Sequence, residues 1–223
     1  MLGVEKTAYL TIDEGPAGDF IEKVDCLNVN GIQAIWFCLG EALENFSEEA
    51  IYAISHGQII GNRSYNHADL SEISLDQVRE QLERTDRIID KLYARADVAR
   101  PFKVFRFPYL SNETSNEHFV AIQGVLEELG YQHPLFENIR YGEQNHTGLR
   151  QGLHVGSTWD TFDLGLNTLC SEERDRHLLQ SNEIVMIHDW ISIDPFKALM
   201  AKLIASGISF TLPQGMSLNS MSV

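Results

Sequence analysis

Short apolar runs alternate along the chain with longer stretches in which apolar residues recur every three or four positions, a rhythm that predicts strands alternating with helices. The first run, Thr7-Ala8-Tyr9-Leu10-Thr11-Ile12, stops at Asp13-Glu14-Gly15-Pro16; Phe20, Val24 and Leu27 then mark a helical face that Asn30-Gly31 ends. A second strand is expected over 33–39, a short helix from Ser47 to Gly57, and a third strand over 58–62. The longest helix opens on a capping box, Ser74 with Gln77, and Leu75, Val78, Leu82, Ile89 and Leu92 keep one face apolar as far as about Ala96. Strand 103–107 is stopped by Pro108, helix 119–129 is ended by Gly130, and a strand follows over 153–159. Ser171 caps a polar helix, 184–188 is a strand, Asp194-Pro195 opens a helix that Gly207 closes, and 208–212 is the last strand.

Strands separated by helices of this length imply parallel βαβ units, because only a crossover connection reaches a parallel partner. About seven such units over 223 residues fit a closed or nearly closed barrel of the α/β class better than an open sheet. A single domain over 1–223 is expected, with 137–151 as a long polar loop rather than a boundary.

Charge narrows the partners. Seventeen Lys and Arg against 32 Asp and Glu leave a net −15, a field that repels nucleic acid and anionic lipid. The longest apolar runs, such as 33–39, are far short of the ~18 residues a membrane helix needs. No export signal is visible at the amino terminus, so the expected location is the cytoplasm. Cys26, Cys38 and Cys170 have no metal-ligand spacing and read as small buried hydrophobes in a reducing compartment.

In a parallel barrel the reacting groups sit at the carboxyl ends of strands, which directs attention to the polar residues that follow each apolar run. These are Asp13-Glu14, then Arg63, Asn66 and His67, then Arg106, then Asp160 and Asp163 after Trp159, and finally His188-Asp189. Together they offer a general base, a general acid and cations for an oxyanion, the inventory of a hydrolase. Each has an ordinary alternative: a solvated turn for Asp13-Glu14, a capping role for His67, a structural ion pair for Arg106. His188 ends a fully apolar strand, where an ionisable group is costly to bury without purpose. The remaining histidines, 56, 118, 133, 146, 154 and 177, read as surface residues in loops and helix ends.

The order and wording of these clusters resemble the polysaccharide deacetylase family, the NodB-homology domain of carbohydrate esterase family 4. Thr11-Ile12-Asp13-Glu14-Gly15-Pro16 is similar to its T-F-D-D-G-P, and Gly61-Asn62-Arg63-Ser64-Tyr65-Asn66-His67 to its G-N-H-T-x-x-H. Arg106-Phe107-Pro108-Tyr109 resembles R-x-P-Y, Asp160-Thr161-Phe162-Asp163 resembles D-x-x-D, and Met186-Ile187-His188 resembles L-x-H. The resemblance implies a distorted (β/α)7 barrel that hydrolyses the acetamide of an N-acetylated sugar. It implies Asp13 as general base held by Arg106, and His188 as the acid oriented by Asp163. It also implies a metal, usually zinc, on Glu14, His67 and a further histidine, with Tyr109, Trp159 and the position of Leu164 lining the substrate.

The chain departs from that pattern where the first histidine ligand should stand, because position 63 is Arg. A guanidinium has no lone pair to donate and stays charged. At ~5 Å and an effective dielectric of ~20 it opposes a divalent ion by about 6–7 kcal/mol. Glu14 in place of Asp adds a methylene that suits a pair with Arg63. The expectation is therefore no resident cofactor, with Arg63 in the cation's place beside Glu14 and the substrate. Leu164, where the family often has Trp, and Leu110, where it often has Gly, imply an altered acetyl pocket.

Three readings stay open: a metal-independent amide hydrolase using Arg63 as electrophile, a zinc-dependent deacetylase on Glu14 and His67, and a carbohydrate-binding or regulatory homologue without turnover. The implied partner is an N-acetylated carbohydrate or related small amide, not nucleic acid or membrane.

Overall fold

The computed structural model describes residues 6–109, 116–139, 152–160 and 182–216. The first strand, β1 (Lys6–Asp13), is its hub. It pairs in parallel with β2 (Ile35–Cys38) on one side and, on the other, with the fifth strand, Glu183–His188, and at its amino-terminal end with the last, Ile208–Phe210. Beyond β2 lies β3 (Ile59–Asn62), and β4 (Trp159–Asp160) pairs with Glu183–His188, which is β5. Single parallel bridges from Asn62 to Phe105 and from Phe105 to His154 carry the ring from β3 round to the stretch that ends in β4. The ring thus closes, and β6 (Ile208–Phe210) joins it only along Lys6–Ala8, which is the distortion of this α/β barrel.

Helices α1 (Phe20–Val29), α2 (Gly40–Asn45), α3 (Ser47–Ser55), α4 (Leu75–Arg95), α5 (Asn116–Glu128) and α6 (Ile193–Ala205) connect or follow the strands. Strand alternation divides the core. Leu10 and Ile12 point outward to Phe20, Val24 and Leu27 of α1 and to Phe196 and Leu199 of α6, while Tyr9 joins Ile35, Phe37, Ile59, Val104, Val155 and Ile184 inside the ring. With a period of two, Thr11 and Asp13 share the inner face with Tyr9, and His188 shares it with Ile184. The alternation that fills the barrel therefore also aims Asp13 and His188 at its mouth. Gly61 belongs to this packing, since a Cβ there would lie 2.8 Å from Val104 Cγ2 and 2.9 Å from Phe37 Cδ1.

The capping box of α4 is present, with Ser74 accepting from the Gln77 N–H, and its buried face runs Val78, Leu82, Ile89, Leu92. The strand expected over 103–107 shrinks to the bridge at Phe105, and that over 153–159 to the bridge at His154 and the start of β4. There the Arg106 side chain lies inside the ring and donates to the carbonyls of Val155 (3.0 Å) and Gly156 (2.8 Å). A side chain thereby replaces part of the backbone ladder. The helix at Gly40–Asn45 was not expected, and α5 begins three residues before the expected start at 119. The polar helix expected after Ser171 lies outside the described residues, as do Cys170, Leu110 and most of the 137–151 loop; Cys38 is buried and Cys26 half-buried. Among the described residues no helix is long and apolar enough to cross a membrane.

Candidate active site

Asp13 ends β1 and is fully buried, and its register partner on the neighbouring strand is His188, the last residue of β5. Register partners in a parallel sheet project to the same face, so these two groups meet at one mouth. Arg106 Nη1 lies 2.7 Å from Asp13 Oδ1 and 2.7 Å from Thr11 Oγ1, and the Arg106 guanidinium sits 4.5 Å over the Phe37 ring. Burial pulls this guanidinium below its ordinary value, Asp13 opposes the shift, and Arg63 adds to it.

Arg63 covers the other oxygen of Asp13. Its Nη1 pairs with Asp13 Oδ2 and donates to the Phe107 carbonyl at 3.0 Å; its Nη2 donates to the Pro108 carbonyl at 2.9 Å and to Glu14 Oε1 at 3.3 Å. Three protein oxygens take hydrogens from its two terminal nitrogens, and the ion pair with Asp13 Oδ2 adds a fourth tie. Arg63 is thus an anchored cation, and the electrophile's role expected of it requires some of these ties to be exchanged. The Glu14 contact, the longest, is the first to give.

Glu14 is the half-buried floor of the site. Its Oε1 lies 3.0 Å from His67 Nε2 and 3.9 Å from His188 Nε2. Burial pushes its carboxyl up, but the His67 hydrogen bond and the positive field of Arg63, His188 and His67 overcome that and hold it at about 2. Glu14, Ser64 and His67 all have left-handed backbones, with φ of 70°, 67° and 61°. Non-glycine residues in that region each cost about 1 kcal/mol or more and cluster where function requires an unusual geometry. Asn62 supports the turn after β3: its Oδ1 accepts from Ser64 N at 2.8 Å, and its Nδ2 donates to Leu82 O and, at 2.6 Å, to Tyr131 Oη.

The donor set does not fit a divalent cation. One carboxylate and one imidazole, Glu14 and His67, face a fixed guanidinium already bound to that carboxylate, and zinc sites need three or four donors without such a neighbour. Among the described residues no group of three His, Cys, Asp or Glu is arranged to hold a metal.

Other expectations divide. Tyr109 borders the mouth, half exposed, with its ring edge-on to His67 at 4.8 Å. Trp159, expected to line the substrate, is instead turned by β4 into the hydrophobic core, where it is buried. Trp190 is the exposed tryptophan at this end, stacked on His188, and its position directly after His188-Asp189 was the available signal. His154 is no surface histidine but a buried member of the barrel wall. Asp163 and Leu164 lie outside the described residues.

Sequence reasoning also missed Lys23, fully buried on α1, whose Nζ reaches Asp19 Oδ1 at 2.6 Å, Asp189 Oδ1 at 2.7 Å and the Asp189 carbonyl. Asp189 Oδ2 in turn accepts from Ala17 N at 2.7 Å. Through Lys23 and Ala17, Asp189 ties α1 and the loop after β1, which carries Glu14, to the residue that directly follows His188.

A polysaccharide deacetylase family model matches residues 3–134. The chain is 29% identical over 148 residues to a peptidoglycan-N-acetylglucosamine deacetylase of Bacillus cereus, covering 58% of this chain and 52% of that protein. It spans about half the length of that relative, and less of the next two curated proteins. Among solved structures, a family 4 carbohydrate esterase from Streptomyces lividans superposes with a TM-score of 0.66 at 19% identity, over 93% of this chain and 92% of that one. A family 4 pseudoenzyme from Bacillus anthracis superposes at 0.63 with 18% identity, over 93% and 64%.

Proposed function

Because the chain belongs to the polysaccharide deacetylase family, we propose that it hydrolyses a non-peptide C–N bond, the acetamide of an N-acetylated carbohydrate, without a resident metal. The observation that carries this reading is the pairing of a candidate base and acid on adjacent strands. Asp13 and His188 are register partners at one mouth, and Arg106 fixes Asp13 at 2.7 Å. A pure binding site has no use for that arrangement.

In the proposed reaction the Arg63 guanidinium shifts off Glu14 and Asp13 Oδ2 onto the substrate carbonyl, which opens Asp13 to water, and Asp13 takes a proton from that water as its oxygen attacks the carbonyl carbon. Arg63 balances the oxyanion that forms. His188 then delivers a proton to the departing nitrogen, the C–N bond breaks, and acetate and a free amine leave.

A second reading, a non-catalytic saccharide-binding homologue, is favoured by one feature. Asp13 is fully buried and each of its oxygens faces a guanidinium, so water reaches it only when Arg63 moves. A solved relative described as a mutant of a family 4 pseudoenzyme with restored activity makes the distinction experimentally natural. The test is acetate release from a panel of N-acetylated sugars, chitooligosaccharides and simple ureides, with and without chelator. Chelator-resistant turnover that disappears in His188→Ala supports the first reading. Absence of turnover on every member, with saccharide binding intact, establishes the second.

A further inference from the structure

Two exposed aromatic rings border the site, each resting on one of its imidazoles. Trp190, 49% exposed, stacks on His188 with centroids 5.5 Å apart and planes 28° apart; Tyr109, 51% exposed, meets His67 at 4.8 Å. Both imidazoles approach the same oxygen, Glu14 Oε1. The sequence Tyr109, His67, Glu14, His188, Trp190 therefore sets a polar floor between two aromatic walls. The other two tryptophans, Trp36 and Trp159, are buried, so the exposure of Trp190 is specific to this place.

The charges of the site are already matched, Asp13 and Glu14 by Arg63 and Arg106. A ligand that brings a net charge of either sign gains little there, whereas an uncharged amphipathic ring gains from both surfaces. A pyranose offers C–H bonds on its faces to an indole and hydroxyls at its rim to polar groups. An acetamido substituent adds an N–H that Glu14 can accept.

We propose that Trp190, with Tyr109 opposite, forms a saccharide-stacking subsite for an uncharged N-acetylated pyranose, Trp190 being the main contact. The inference rests on reading the mouth as a carbohydrate site but concerns binding alone, so it is tested without turnover. Calorimetric titration of the whole chain with tri-N-acetylchitotriose should show binding, and Trp190→Ala should weaken it by about tenfold or more, while Trp190→Tyr stays within about threefold of wild type. The fully deacetylated, cationic trisaccharide should bind at least about tenfold more weakly than the acetylated one.

An unchanged Kd in a Trp190→Ala protein that melts normally overturns the proposal. So does tighter binding of the deacetylated sugar, or no binding of either to wild type up to about 10 mM. If Trp190→Ala does not fold, acrylamide quenching of the wild-type protein decides, because only Trp190 is an exposed indole among the described residues; a saccharide that leaves it unprotected overturns the assignment. Binding that depends on Trp190 in a protein with no turnover leaves this inference standing and overturns hydrolysis instead.

Discussion

His154 should make the barrel acid-sensitive in a pH range where most carboxylates are still ionised. It is 3% exposed and stands among Phe107 at 5.1 Å, Phe119 at 5.6 Å and the side chain of Gln123. Gln123 Oε1 accepts from Leu153 N at 2.7 Å, which turns its NH2 group toward His154 Nδ1 at 3.3 Å and makes that nitrogen an acceptor. A protonated ring would set N–H against N–H. Burial lowers the imidazole from 6.5 to about 4, and the positive fields of His133 and Arg106 add to it. The sign follows from proton binding: below the ordinary imidazole value the unfolded chain takes up a proton that the folded chain refuses down to about 4. The stabilisation is complete above that ordinary value and is lost as the pH falls toward 4, up to about 3 kcal/mol in all and about 2 kcal/mol of it between pH 7 and pH 5. Urea unfolding at those two pH values, compared between wild type and His154→Gln, isolates this group because every other histidine is common to both proteins. Wild type should lose about 2 kcal/mol more than the variant. Equal losses would refute the argument, as would an imidazole NMR titration of His154 near its ordinary value.

Replacing Arg63 by His together with Glu14 by Asp restores two imidazoles and a carboxylate at the family's spacing; excess zinc should then raise the melting temperature of the double variant and leave wild type unchanged. If both proteins melt alike with zinc, position 63 is not equivalent to the family's ligand. In the hydrolytic reading, kcat/KM should follow a bell-shaped pH profile, and His188→Ala should spare substrates with good leaving groups more than ordinary acetamides, by about tenfold or more. Equal losses across leaving groups would remove His188 from the acid's role. Asp13→Asn should abolish turnover, and because it strips the counter-ion from two guanidiniums it should also destabilise the fold by about 3 kcal/mol, read from urea unfolding. Lys23→Met should cost about 3–5 kcal/mol by leaving Asp189 buried without its counter-ion, with part recovered in Lys23→Met/Asp189→Asn; a loss below about 1 kcal/mol would show the pair to be dispensable.

Local patterns carried the architecture. Alternation along Thr7–Ile12, the i, i+4, i+7 spacing of Phe20, Val24 and Leu27, and the Ser74 box each specify an element by contacts within a few residues, and these stand where expected. What the chain alone did not disclose depends on partners far apart in sequence. Lys23 occupies a helical position that looks solvated until Asp189, 166 residues away, is brought beside it. His154 falls within the strand expected over 153–159, but a lone imidazole there reads as a surface group until the bridge to Phe105 makes that stretch part of the barrel wall. The two tryptophans face opposite ways for a similar reason: strand alternation turns Trp159 into the core, whereas Trp190 follows its strand and is left outside. Arg63 was legible as a cation paired with Glu14 or Asp13, but not that it holds both, because an arginine reaches far enough to span adjacent carboxylates.

The central position of β1 has a consequence for how the chain is made. It is the earliest described strand to leave the ribosome, and β5 pairs with it along six residues, from Ala8↔Glu183 to Asp13↔His188. Until residue 188 has been synthesised, one edge of β1 has no partner there, and the growing chain offers unpaired backbone along Ala8–Ile12 in its most apolar segment. Contacts so distant in sequence form late, because the loop-closure entropy must be met before they contribute. Shortened products ending ahead of β5 should therefore be aggregation-prone and captured by chaperones rather than released as a stable half-barrel. For this chain the finished ring, more than any single element, is the unit on which cellular quality control would act.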